Sequence, residues 1–224
     1  MTSEQARQKI REVGIVPVIR AKSSREARLA VDGIMAGGIP IAELTMTVPG
    51  AIEVIAGLAK TAGSRLLLGA GTVLNAETAQ RCIDAGAQFI VSPGFALATV
   101  KLVKSAGLLM MAGALTPTEV IAAWESGSDF VKIFPCGPVG GPKYIRALKG
   151  PFPQIPMVPT GGVNVDTAAD FIRAGSDALG VGGELVSAAA LESGNVDQIS
   201  QAARRYRQIV DSARNSKPST SAAD

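Results

Sequence analysis

Eight short apolar runs recur along the chain, at residues 15–19, 41–46, 66–69, 89–92, 108–111, 130–134, 157–160 and 178–181. Each is continuous rather than alternating. A strand reads this way when both its faces are covered, as in a parallel sheet wrapped by helices. Parallel neighbours need a crossover, and helix-like stretches supply one after every run: 24–36, 49–62, 75–85, 98–106, 117–125, 142–148, 165–174 and 196–213. The first of these opens on serine and stops at Gly37-Gly38, the usual start and stop signals. Ala-Gly recurs at the helix ends (Ala36-Gly37, Ala85-Gly86, Ala106-Gly107, Ala174-Gly175), which marks a repeated helix-to-strand turn. Eight strand–helix units in roughly 200 residues predict an α/β fold closed as a (β/α)8 TIM barrel. An open doubly wound sheet is the alternative, but its Gly-rich dinucleotide loop does not follow the first run. Residues 3–13 predict an extra N-terminal helix covering the barrel's N-terminal end. The single barrel domain is expected to span 1–214. The polar, Ser- and Ala-rich residues 215–224 read as a disordered tail.

Composition removes several functions. The 224 residues carry a net charge of only +3, and no basic run is interleaved with aromatics, so no nucleic-acid partner is expected. No apolar run approaches the ~20 residues of a membrane span, and no membrane partner is expected. The polar start lacks the apolar segment of a signal peptide. Two distant cysteines, Cys82 and Cys136, form no disulfide framework, which points to a reducing cytoplasm. The chain has no histidine. Ser-His-Asp, Cys-His and His-ligated metal chemistry are therefore excluded, and no metal or other cofactor is expected. Acid–base work falls to carboxylates, lysine, tyrosine, cysteine or hydroxyls.

In such barrels the site is built at the C-terminal ends of the strands. The polar residues there are Arg20, Glu43, Thr45, Thr47, Thr72, Ser92, Lys132 and Thr160, among the turns Ser92-Pro93-Gly94, Thr160-Gly161-Gly162 and Gly180-Val181-Gly182-Gly183. Lys132 sits in the apolar run Phe130-Val131-Lys132-Ile133-Phe134. If Val131 and Ile133 face the helices, strand alternation turns Lys132 into the barrel. Desolvation works against an ammonium there, and imine formation needs the free amine. Glu43, between Ala42 and Leu44, shares that interior and can shuttle protons. A plain buried ion pair between the two is the bland alternative. The glycines after strands seven and eight suit an anion cradle, although paired glycines also serve tight turns. Arg20 is either an anion contact or a salt bridge at the mouth. Cys136 has no histidine to activate it and reads as structural.

The marks Val16-Pro17-Val18-Ile19, Glu43-Leu44-Thr45, Gly69-Ala70-Gly71-Thr72-Val73-Leu74, Ser92-Pro93-Gly94, Lys132-Ile133-Phe134-Pro135, Gly141-Pro142 and Pro159-Thr160-Gly161-Gly162-Val163 together resemble the 2-keto-3-deoxy-6-phosphogluconate (KDPG) aldolase family, often described jointly as 4-hydroxy-2-oxoglutarate (KHG) aldolase. The resemblance implies a class I lyase that splits a 2-keto-3-deoxy sugar acid into pyruvate and an aldehyde. It implies Lys132 as the Schiff-base lysine and Glu43 as the acid/base group. It also implies a keto-acid pocket lined by Thr72, Thr160, Pro93 and Phe134, and an anion-binding turn at Gly161 and Gly162, with Gly182 and Gly183 nearby. Arg20 and Thr47 complete the expected substrate contacts. A homotrimer without metal is implied as well. Two departures bear on specificity. Some members carry arginine at the position of Thr47. Others carry serine where this chain has Gly183, followed by Glu184, and a carboxylate beside a phosphate is repulsive unless it points away. A non-phosphorylated keto acid therefore stays open. So do two rivals: a phosphate-barrel isomerase, epimerase or synthase, and a non-catalytic assembly module.

Overall fold

A computed structural model describes residues 1–216 of the chain. Its strands are β1 (Ile15–Ile19), β2 (Ile41–Thr45), β3 (Leu67–Gly71), β4 (Phe89–Val91), β5 (Leu109–Ala114), β6 (Phe130–Ile133), β7 (Met157–Pro159) and β8 (Leu179–Val181). All are parallel to their neighbours and pair in sequence order, with β8 returning to β1. A bridge between Thr160 and Gly180 joins β7 to β8 and closes the barrel. Every strand residue is buried, as the continuous apolar runs require.

The helices are α1 (Ser3–Val13), α2 (Ser24–Ala36), α3 (Ala51–Ala62), α4 (Ala76–Asp84), α5 (Leu97–Ser105), α6 (Pro117–Glu125), α7 (Pro142–Lys149), α8 (Ala168–Arg173), α9 (Ala188–Ser193) and α10 (Val196–Asn215). Side-chain caps set most starts: Ser23 accepts from Glu26 N, Asn75 from Thr78 N, and Thr116 forms a capping box with Glu119. Three of the Ala-Gly turns work through left-handed glycine, at φ 101° for Gly86, 71° for Gly107 and 104° for Gly175, while after Ala36 the left-handed residue is Gly38, at φ 85°, a conformation other residues enter only with strain.

Several boundaries differ from expectation. β5 runs on to Ala114 and takes Gly113 inside the strand. α8 is shorter, starting at Ala168, because Asn164 folds residues 164–167 into a turn by accepting from Asp166 N and Thr167 N. α9 was not anticipated: six residues between β8 and α10 carry little periodicity. α10 extends through Asn215, one residue into the expected tail. The tail beyond residue 216 lies outside the described residues.

The N-terminal helix covers the barrel's lower end. Ala6, Ile10 and Val13 are its buried face. Two ion pairs anchor it: Arg7 to buried Asp129 at 2.6 Å, and Arg11 to Asp177 at 3.6 Å. Asp129 also accepts from Lys104 Nζ at 2.6 Å and Met110 N at 2.8 Å. With this end sealed, the open end is where the strands finish.

Candidate active site

Lys132 on β6 and Glu43 on β2 both point into the barrel. Lys132 Nζ lies 3.5 Å from Glu43 Oε1, and the two residues are 3% and 1% exposed. They stand on strands four apart around the barrel, so they meet across its interior. Burying a charge in an apolar interior costs several kcal/mol unless it is paired, and each of these groups has the other.

One glycine makes room for Glu43, and another for the Pro93 turn beside Lys132. In register, Glu43 lies beside Gly69, and Lys132 beside Gly113. A Cβ on Gly71 would stand 2.0 Å from Glu43 Oε1. One on Gly113 would stand 2.2 Å from the Pro93 carbonyl carbon. Either would be an impossible approach, so both glycines are required by space. Glycine inside a strand is the sequence signal that marks such close approach.

The other expected residues fall into two groups. One lies at the ends of β3, β4, β6 and β7. The Phe134 ring centroid is 5.4 Å from Lys132 Nζ, close enough for a cation–π contact. Pro93 packs against Gly113. Ser92 Oγ accepts weakly from Gly113 N at 3.4 Å. Thr160 is buried at the end of β7, over Gly180. Thr72 directly follows Gly71 and has φ 59°, the one non-glycine positive φ among the described residues. A β-branched residue there is strained by roughly 1–3 kcal/mol. Gly161 and Gly162 adopt φ 82° and 83° in succession, and Gly161 abuts Phe134 and Pro135. Gly162 cannot carry a side chain, since its Cβ would meet Gly137 Cα at 2.6 Å.

The second group lies at the mouth. Arg20, Thr47 and Gly183 line a cleft of about 370 Å³ between the ends of β1, β2 and β8 and α9. Its apolar walls are Val18, Ala21, Val186, Ala188 and Leu191. Thr47 Oγ1 bonds Thr45 Oγ1 at 2.6 Å, and the Thr45 hydroxyl bonds the Ile19 carbonyl at 2.8 Å. Gly182 lies against the Arg20 guanidinium, and its carbonyl accepts from Leu185 N and Val186 N. Lys132 and Glu43 are not in the cleft wall.

The cysteines stay apart and unpaired. Burial pushes the Cys82 thiol up to about 11 and the Cys136 thiol up to about 12, so neither is a thiolate at neutral pH. Among the described residues no three His, Cys, Asp or Glu side chains gather as a metal site requires. No helix among them is long and apolar enough to cross a membrane.

Residues 6–202 match the family described as KDPG and KHG aldolase. The chain is 35% identical over 191 residues to the KHG/KDPG aldolase of Escherichia coli (strain K12), covering 85% of this chain and 89% of that protein. It is 34% identical over 202 residues to the 2-dehydro-3-deoxy-phosphogluconate aldolase of Treponema pallidum (strain Nichols), covering 90% and 95%. Its fold superimposes with a TM-score of 0.83, at 27% identity over 89% of this chain and 97% of the other, on the KDPG aldolase of Legionella pneumophila with pyruvate captured as a covalent carbinolamine. A closed eight-stranded barrel, a buried lysine facing a glutamate across it, and relatives matching nearly end to end lead to one conclusion: the chain belongs to the KDPG and KHG aldolase family.

Proposed function

We propose that the protein is a class I aldolase that cleaves a 4-hydroxy-2-keto acid to pyruvate and an aldehyde, with Lys132 as the imine-forming residue and Glu43 as its proton carrier. The observation that carries the reading is the buried Lys132–Glu43 pair at 3.5 Å inside the barrel. A lysine and a carboxylate so placed are costly for stability and useful for carbonyl chemistry.

The neutral Lys132 amine attacks the C2 carbonyl. Glu43 moves the proton that turns the alkoxide into a carbinolamine, and its acid form then delivers the proton on which water leaves. The resulting iminium withdraws the electron pair of the C3–C4 bond. As that bond breaks, the C4 hydroxyl proton passes to the Glu43 carboxylate, directly or through water, and the aldehyde departs. The enamine left on Lys132 takes a proton at C3, and water hydrolyses the imine to pyruvate and free amine. Phe134 stacks near the nitrogen and favours its cationic form. Thr72 and Thr160 present hydroxyls to the keto-acid carboxylate, and Pro93 forms the opposite wall. Gly161 and Gly162, with Gly182 and Gly183 after the neighbouring strand, shape the turns beside the departing half. Family membership and the Lys132–Glu43 pair favour this reading over an isomerase, epimerase or synthase and over an idle assembly module.

The finer expectations are proposals of the same kind. A homotrimer fits the exposed apolar residues Leu74, Phe95 and Val139 after β3, β4 and β6, and Leu97 at the start of α5, which a second copy would cover. A cytoplasmic setting fits two unpaired, buried thiols.

Borohydride added with pyruvate tests the chemistry. A stable pyruvate-sized mass is expected on the Lys132 peptide and not in Lys132→Ala. Glu43→Gln should still fold and should lose about 10²–10⁴ in kcat. A folded native enzyme that traps nothing on Lys132 would overturn the mechanism.

A further inference from the structure

We infer that Thr45 is a positioning residue: it takes up the Thr47 proton, so that the mouth offers the substrate a hydrogen-bond acceptor, and this acceptor selects a departing half that carries a hydroxyl group. The inference rests on the Schiff-base reading above and gives a polarity to the specificity of the same site.

The first observation is a count of protons. A threonine hydroxyl has one proton to donate and two lone pairs to accept with. Thr45 is fully buried at the end of β2, and its Oγ1 lies 2.8 Å from the Ile19 carbonyl oxygen. A carbonyl only accepts, so the Thr45 proton points at Ile19. The 2.6 Å contact between the two threonine oxygens then takes the Thr47 proton. Both protons are spent inside the protein, and the Thr47 oxygen has only lone pairs left for the cleft. Among the described residues no other hydrogen bond involves that oxygen. A substrate hydroxyl would donate to it and add a third bond to the chain. A carboxylate or phosphate oxygen has no proton to give. To hold one, Thr47 must withdraw its proton from Thr45, or Thr45 must turn its own away from Ile19. Either choice breaks a bond at a buried hydroxyl, which water cannot replace.

The second observation is position. Thr47 is exposed and lines the apolar-walled mouth cleft, whose lining includes neither Lys132 nor Glu43. Substrate C2 is bonded to Lys132 Nζ, and Lys132 is 3% exposed. The carboxylate oxygens on C1 are two bonds from C2 and stay with the buried amine. Hydroxyl oxygens on C5 and C6 are four and five bonds away, on the half that departs, and extend towards the mouth. The ligand class this favours is a keto sugar acid with free hydroxyls beyond C4, over a keto acid whose chain ends there in a carboxylate.

The test compares pyruvate release from 2-keto-3-deoxy-gluconate, with hydroxyls on C5 and C6, and from 4-hydroxy-2-oxoglutarate, which has none beyond C4 and ends in a carboxylate. Thr47→Val keeps the shape and removes the acceptor. It should lower the kcat/KM ratio of the first substrate to the second about tenfold, near 1.4 kcal/mol, mainly through KM. Thr47→Ser should hold the native ratio within twofold. Thr45→Val leaves the Thr47 proton without its acceptor, so Thr47 becomes a donor to the cleft. The ratio should again fall, now with kcat/KM for 4-hydroxy-2-oxoglutarate rising severalfold, a gain that lost packing would not produce. An unchanged ratio in folded Thr47→Val, whether the constants are native or both lowered alike, overturns the inference. A Thr45→Val enzyme slowed equally on both substrates overturns the positioning role. If Thr45→Val does not fold, the exposed Thr47→Val and Thr47→Ser pair decides. Failure of the native enzyme to trap pyruvate on Lys132 with borohydride defeats the aldolase reading instead.

Discussion

Gly71→Ala is a small substitution that should disable the enzyme from outside its reacting groups. The new methyl would be placed 2.0 Å from Glu43 Oε1 and 2.6 Å from its Cδ and Cγ. Ordinary contact begins near 3.4 Å, so the carboxylate must retreat by about 1.4 Å. Glu43 lies in a strand hydrogen-bonded on both sides, to β1 and β3, so the shift falls on the side chain and its 3.5 Å contact with Lys132. A misplacement of about 1 Å at a reacting group costs on the order of 10²-fold in rate, near 2.7 kcal/mol. Overpacking should cost roughly 1–3 kcal/mol of stability, which leaves the barrel folded at 25 °C. Stopped-flow or coupled lactate dehydrogenase kinetics would read kcat, with far-UV circular dichroism and a urea melt as folding checks. Gly150→Ala, at φ −55° with its nearest neighbour at 3.4 Å, is the matched control and should keep native kinetics. A folded Gly71→Ala enzyme with kcat within threefold of native would refute the reasoning, because Glu43 would then not be held in place by that space or would not move the protons.

Three other outcomes are expected. Asp129→Ala leaves Arg7, Lys104 and Met110 N without their shared acceptor and should cost about 3–5 kcal/mol, read by urea denaturation. Thr72→Gly relieves a left-handed β-branched residue, so stability should hold or rise while KM increases, as expected if the hydroxyl binds substrate. Cys82 and Cys136 have thiols raised by burial to about 11 and 12. The thiolate fraction therefore falls tenfold per unit below those values, and iodoacetamide at pH 8 should label neither in the native state and both in urea, by intact mass.

What the sequence determined on its own follows from period and chemistry. Eight continuous apolar runs with helical crossovers admit few arrangements, and right-handed parallel connections leave essentially one closed form. Lys132 and Glu43 were conspicuous because a charge inside an apolar run must be used or paired. The missing histidines narrowed the chemistry further. Boundaries such as the start of α8 depended on Asn164 bonding its own loop, a side-chain choice that hydrophobic period does not register. α9 was invisible for a similar reason, being a short segment set by packing over the mouth.

Tertiary structure alone decided distances across the barrel. Glu43 and Lys132 are 89 residues apart, and only closure brings them to 3.5 Å. The same closure turns Gly71 from a strand irregularity into the space that holds a carboxylate. It also places Arg20 and Thr47 in a mouth cleft whose lining does not include Lys132, although all three lie near strand ends in the sequence. Local sequence specifies which residues are out of place in their strands. Which of them can touch is a property of the closed barrel, because strand tilt and register, rather than spacing along the chain, set the geometry of its interior.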